Sequence, residues 1–204
     1  MSEGAQAAPA TRVRVRDPER RERILAASAE LIAARGYHAV TMADIGEAAG
    51  IVGSGIYRHF NGKSEVLAAL LEGVMDNLWA DAMRIVDAGA DPATTLSQLI
   101  AAQVAFSIDR RVLVALYLRE AATLPPDRGR GLRRMQRRYI EEWVTNLHEA
   151  RPELNEAEAR TLVHAAIGAI QSVVNHDSGL PRGDLAAVLT GVAHACLGLS
   201  RMTT

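Results

Sequence analysis

The chain is predicted to be all-α, with about nine helices, and three observations carry that prediction. Its 204 residues are rich in Ala, Leu, Val, Arg and Glu and only 4% are aromatic, a balance that favours helices over strands. Apolar residues recur at three- and four-residue spacing along most of the length, and no segment reads as a convincing strand. Clusters of Pro, Gly and Asp separate these periodic runs. With 49% apolar residues there is enough material for a sizeable core.

The first helix follows Asp17, which suits an N-cap, and Pro18, which suits the first helical position. Ile24, Leu25, Ser28, Leu31 and Ile32 mark its inner face, and Gly36 ends it in the left-handed conformation. Thr41 opens the second helix with "TMAD", an acidic variant of the capping box with Asp44 three residues on. Ile45 and Ala48 face inward and Gly50 makes a tight turn. A short third helix follows, opening "GSG", with Ile51 and Ile56 packed beneath it. The fourth helix runs from Lys63 to Asp87 on a near-continuous apolar stripe. At 1.5 Å per residue it spans roughly 37 Å, long enough to join two halves of the molecule. "DAGADP" stops it. Further helices are predicted at about 93–107, 109–122, 127–149, 156–176 and 184–199.

The last two of these, "AEARTLVHAAIGAIQSVVN" and "DLAAVLTGVAHACLGL", are apolar on more than one side. A helix apolar all round is buried all round. Near the end of a small chain, a second copy of that chain is the expected cover, since two-fold dimers are the commonest oligomers. Ala165, Ala166, Gly168 and Ala169 would allow close helix approach.

The stretch "ILAASAELIAARGYHAVTMADIGEAAGI" followed by "IYRHFNGKSEVL" resembles the DNA-binding domain of the tetracycline-repressor (TetR) family. The resemblance covers about residues 20–70. It rests on one apolar helix, "RGY", Thr41 at the second cap, "AAGI", "YRHF" and Lys63. It implies a homodimeric transcription factor, usually a repressor, that a small-molecule effector releases from a double-stranded DNA operator. Three parts are expected: a disordered basic arm over 1–16, a helix-turn-helix over 17–62, and a ligand-binding and dimerisation domain over 63–204. Dimerisation would then use the last two helices.

In a helix-turn-helix the second helix enters the major groove and its first residues meet base edges. Gly53 and Gly55 have no side chains to hold that helix start away from the groove, and their backbone N–H groups suit phosphate. Ser54, Tyr57 and Arg58 remain as candidates for direct contact. By the family pattern Thr41, Tyr57, His59 and Lys63 contact phosphates. The sequence departs from its relatives at Val52, Gly55 and Gly62, where capping or contacting Ser, Thr or Asp is common. The alternating Arg12, Arg14 and Arg16 form an arm suited to phosphate or a narrow minor groove.

In this family the effector pocket lies among the C-terminal helices. Trp79, Met83, Phe106, Tyr117, Tyr139, Trp143, Ile167 and Gln171 are candidates to line it, with Arg119, Glu120 and His164 as polar residues in apolar surroundings. Arg128 to Arg138 form a basic cluster. Arg137 with Glu141, and Arg138 with Glu142, have salt-bridge spacing. As a clamp beside an apolar cavity the cluster would suit an acyl-CoA-like effector.

Other classes find little support. There are 23 basic and 24 acidic residues, so any nucleic-acid signal is local. No run reaches the ~20 apolar residues of a membrane span. The single Cys196 cannot form an internal disulfide, in keeping with a cytoplasmic protein. No phosphate loop, HExxH, GxSxG or paired Cys motif is present, so neither an enzyme nor a metal or cofactor site is expected. The alternative function is a helical protein- or lipid-interaction module that has lost sequence-specific DNA binding, supported by the glycines of the third helix.

Overall fold

The computed structural model describes residues 18–199 other than residue 52. The Asp17 cap, the basic arm of Arg12, Arg14 and Arg16, and Val52 lie outside the described residues. Among the described residues eight α-helices follow one another: α1 (Pro18–Arg35), α2 (Met42–Ala48), α3 (Lys63–Val86), α4 (Pro92–Asp109), α5 (Arg111–Glu120), α6 (Pro126–Ala150), α7 (Glu156–Gln171) and α8 (Arg182–Leu197). The expected third helix is instead a 3-10 turn, Gly53–Arg58, called the recognition turn below. Six residues with two glycines hold too little α propensity to nucleate a longer element.

The local signals explain most boundaries. Gly36 stops α1 at φ +80°, and Gly50 makes the turn after α2 at φ +66°. The capping box before α2 forms: the Asp44 N–H donates to the Thr41 hydroxyl at 3.1 Å, and the Thr41 N–H donates to the Asp44 carboxylate at 2.8 Å. Gly62 supplies no side-chain cap to α3. The Glu65 carboxylate instead accepts from the Asn61 backbone N–H at 2.7 Å and its side-chain amide at 2.9 Å. Asp91 caps α4 and Asn155 caps α7, the latter with a full capping box to Glu158. α7 stops five residues short of the expected end and tightens into a 3-10 turn, Ser172–Val174.

α1, α2 and the recognition turn enclose Ile24, Ile32, Val40, Ile45, Ile56 and Phe60, all buried. Each such side chain contributes about 1.5–3 kcal/mol on leaving water. α3 is the spine: it packs on α1 at one end and on α4, α5 and α6 along its length. α5 also packs on α1. α4 crosses behind to reach α6, α7 and α8, and α7 and α8 form an antiparallel pair. Trp143 of α6 is wholly buried in the body with Leu71, Leu96, Leu99, Ile100 and Leu116. No strand occurs among the described residues.

Candidate nucleic-acid interface and ligand cavity

The recognition turn presents Ser54, Tyr57 and Arg58 to solvent, with Tyr57 55% exposed despite its ring. Ile56 points the other way and is buried. Gly55 is held to glycine by packing: a Cβ there would lie 2.8 Å from Cγ2 of Ile51. Thr41 is exposed at the start of α2, and His59 is half-buried where the turn ends.

Lys63 behaves differently from the other expected contacts. Its ammonium donates to the backbone carbonyls of Tyr37 and Val40, each at 2.6 Å, and of His38 at 3.2 Å. It also lies 4.6 Å from the centre of the Tyr37 ring. All three ammonium donors are therefore engaged with the loop between α1 and α2. The first residue of α3 grips that loop. Nothing in the spacing of "NGKSE" betrays this, because the partners are more than twenty residues upstream.

Tyr37 meets the body on its other side. Burial raises the pKa of its phenol, and the negative charge of Glu120 raises it further. Glu120 ends α5, is buried, and has the Arg119 guanidinium 3.6 Å away. One turn back on α5, Tyr117 is buried, and burial pushes its phenol up to about 12.

Tyr117 also lines a cavity of about 110 Å³ between α3, α4, α5, α6 and α7. Its walls are Val74, Met75, Leu78, Gln103, Val114, Tyr117, Gln136, Tyr139, Ile140, His164, Ile167, Gly168 and Gln171. Five expected residues meet there: Tyr117, Tyr139, His164, Ile167 and Gln171. The other five do not line it. Trp143 is sealed in the core behind it. Trp79 carries the Arg138 guanidinium over its ring at 4.4 Å. Met83 is half-buried one turn further along α3, and Phe106 packs on the core from a half-buried site. Arg119 is exposed beside Glu120. Gln103, a wall residue not among the expected ones, has its signal in the sequence as a lone amide in the apolar stripe Leu96, Leu99, Ile100 and Val104.

A second groove, lined by Arg133, Gln136, Arg137, Ile140, Arg160 and His164, adjoins the cavity and shares Gln136, Ile140 and His164 with it. The expected pairs of Arg137 with Glu141 and Arg138 with Glu142 do not form. Glu141 pairs with Arg160 of α7, which also reaches Glu156, and Arg138 stacks on Trp79. Arg160 is the better partner because it approaches Glu141 with two guanidinium nitrogens. Arg133 and Arg137 are left on the groove with no carboxylate among the described residues within ion-pair distance. Arg134 is exposed outside it.

The outer faces of α7 and α8 are small and apolar. Ala165 and Gly168 of α7 are exposed, as are Ala187, Val188, Val192 and Ala195 of α8. Val188 is 52% and Val192 43% exposed. Ala166 turns into the core and Ala169 is half-buried, so neither stands on that face. No group of three or more His, Cys, Asp or Glu that could hold a metal ion occurs among the described residues. No described helix is long and apolar enough to cross a membrane.

These features define a helix-turn-helix protein whose two-helix head sits on a helical body containing a cavity. Residues 24–70 match the family described as bacterial regulatory proteins, tetR family. Over those residues the chain carries the segment by which that family is recognised. It is 38% identical over 81 residues to the transcriptional repressor KstR2 of Rhodococcus jostii, covering 40% of each chain. It is 36% identical over 105 residues to KstR2 of Mycobacterium tuberculosis, covering 52% of each. These matches thus span about half or less of the curated relatives' length. The structure of the ketosteroid transcriptional regulator KstR2 of Mycobacterium tuberculosis is similar over 92% of this chain and 97% of that one, at 28% identity and a TM-score of 0.76. AibR in complex with isovaleryl coenzyme A and operator DNA shares the fold over 85% of this chain and 97% of that one, at 20% identity and a TM-score of 0.74.

Proposed function

We propose that the chain is a homodimeric DNA-binding repressor that an amphipathic, acidic effector releases from its operator, with an acyl-CoA ester as the leading candidate. One observation carries the effector class: an apolar cavity whose edge is shared with a groove bearing two uncompensated arginines, Arg133 and Arg137. A cavity of about 110 Å³ accepts a short acyl group, and guanidinium forks suit the phosphates of a head group left outside. That AibR binds isovaleryl coenzyme A on the same fold agrees with this choice.

On this reading Thr41, Ser54, Tyr57, Arg58 and His59 form the DNA face, with Gly53 admitting it to the groove, whereas the bare side of Gly55 faces Ile51 and lets the turn close on the head. Lys63 positions that face by holding the preceding loop. The helical body from Lys63 onward binds the effector and dimerises through the exposed faces of α7 and α8. Two recognition turns must then sit near the ~34 Å repeat of successive major grooves. An effector that enlarges the cavity bears on Tyr117. It moves α5, and with it Glu120 against Tyr37 and the Lys63 grip. Only an effector with unequal affinity for the two geometries can shift them.

The test is to add a short-chain acyl-CoA, the free acid, or CoA alone to a preformed complex with the chain's own upstream DNA. The ester should release the DNA, and the double variant Arg133→Ala with Arg137→Ala should need far more of it. Equal release with and without those arginines removes the clamp. A chain that shifts no DNA at any salt concentration returns the reading to a helical protein- or lipid-contact module.

A further inference from the structure

The cavity is not uniformly apolar. Gln103, 1% exposed, lies in its wall and joins a buried hydrogen-bonded row. The Tyr139 hydroxyl donates to Gln103 Oε1 at 2.6 Å, and Gln103 Nε2 donates to the Ser107 hydroxyl at a long 3.3 Å. Tyr139 and Ser107 are buried as well. Burial raises the pKa of the Tyr139 phenol, which keeps it a neutral donor. The Trp143 indole N–H lies against the Tyr139 oxygen and opposes that rise. Yet it makes no hydrogen bond of proper geometry to any group, the only such buried side-chain atom among the described residues.

The row therefore carries more donors than it has acceptors for. A primary amide has two N–H groups, and only one of Gln103's has a partner here. The Trp143 N–H has none. Buried donors left unpaired are costly, and native cores rarely keep them. A core that needed only to pack would place leucine at position 103, in register with Leu96, Leu99 and Ile100. The remaining polar wall residues, Gln136, His164 and Gln171, sit toward the exposed side and are not buried in this way.

We infer that the Gln103–Tyr139–Trp143 row is a recognition site for an oxygen acceptor, a carbonyl oxygen on the apolar part of the effector. Such an oxygen would take the free N–H of Gln103 directly. Its second lone pair would accept the Tyr139 hydroxyl proton in place of Gln103 Oε1, which turns a Tyr139 lone pair toward Trp143. A plain hydrocarbon of the same size would leave both donors unpaired. The inference rests on the effector reading for the cavity itself, and adds that the bound group is oxygenated rather than simply aliphatic.

The experiment uses small probes that need no arginine clamp and no DNA. Cyclopentanone and cyclopentane are matched in shape and are compared by NMR titration of the full-length protein. The ketone should bind about three- to tenfold more tightly, the worth of one neutral hydrogen bond. It should also shift the indole N–H signal of Trp143, while that of Trp79, the second of two tryptophans, stays put. Gln103→Leu should erase the preference while cyclopentane binding persists. If that variant fails to fold, the Trp143 signal in the unaltered protein still decides. Equal affinity for the two probes, a stationary Trp143 signal, or binding of neither overturns the inference. DNA release by an acyl-CoA is a separate measurement, so a cavity indifferent to the carbonyl leaves the repressor reading standing. Loss of release with the carbonyl preference intact overturns only the latter.

Discussion

Replacing Lys63 with methionine keeps the aliphatic stem and removes the ammonium. Two of its three hydrogen bonds are short and partly buried, to the Tyr37 and Val40 carbonyls at 2.6 Å. A hydrogen bond from a charged donor is worth about 1.5–3 kcal/mol. The cation over the Tyr37 ring adds roughly 0.5–1 kcal/mol at a half-exposed site. Against these stands the side-chain entropy of a fixed lysine, about 2 kcal/mol. The net loss is about 1.5–5 kcal/mol. For a domain of this size that lowers Tm by about 3–20 °C. The loop before Thr41 loosens, and with it the whole DNA face, so operator affinity falls for every sequence alike. The salt dependence separates this from a phosphate contact. Losing one phosphate contact lowers the slope of log affinity against log salt by about 0.9. A positioning lysine leaves the slope unchanged. Melting curves and mobility shifts at three salt concentrations check both. A slope reduced by about one, with Tm unchanged, would refute the argument and restore Lys63 to the phosphate backbone.

Gly55→Ala gains roughly 1 kcal/mol of helix propensity but meets Ile51 Cγ2 at 2.8 Å, so denaturant melts should show a net loss, and Ile51→Leu, which removes that branch, should turn it into a gain. Asp44's carboxylate is held below the usual range by hydrogen bonds from Thr41. Because its folded-state pKa is lowered, its stabilisation is present above the unfolded value of about 3.9 and lost as pH falls through the folded one. The stability gap between the unaltered protein and Asp44→Asn should therefore close below about pH 4, and a gap constant from pH 7 to pH 3 would contradict the capping box. Val192→Arg places a charge on the exposed face of α8; sedimentation should show folded monomers, whereas an intact dimer would move the interface elsewhere.

Much of the fold was legible because its signals are local. Gly36 and Gly50 at positive φ, the Thr41–Asp44 box and the Asp91–Pro92 start each depend on residues within four positions. The recognition turn departs from the expected α-helix for a reason also present in the sequence, the two glycines, whose low helix propensity leaves so short a segment as a 3-10 turn. The cavity was half legible. Periodicity separates inner from outer faces, yet it cannot say which inner residues meet a neighbour and which meet a void. Trp143 and Tyr139 stand one turn apart on α6 and are equally aromatic; one fills the core and the other walls the cavity. Arg137 is free to face the groove beside Arg133 only because Arg160, from another helix, takes Glu141 away from it.

The Lys63 grip bears on release as well as on stability. Coupling between two binding sites is typically 1–3 kcal/mol, a change of 5–150-fold in affinity. That energy must pass from the cavity to the head through contacts stiff enough not to yield first. α1 touches the body through α3 and α5, and the loop after it is held by a grip we place at about 1.5–5 kcal/mol. The grip is thus comparable to the largest coupling it would have to carry. On the proposed function, a shift of α5 against α1 while Lys63 holds the Tyr37 carbonyl turns the head as one body. The same displacement with the grip broken only deforms the loop, and the recognition turns keep their spacing. Lys63→Met should therefore weaken operator binding and, in whatever complex remains, blunt release by effector. Effector affinity of the free protein should stay unchanged, because no cavity residue has been touched.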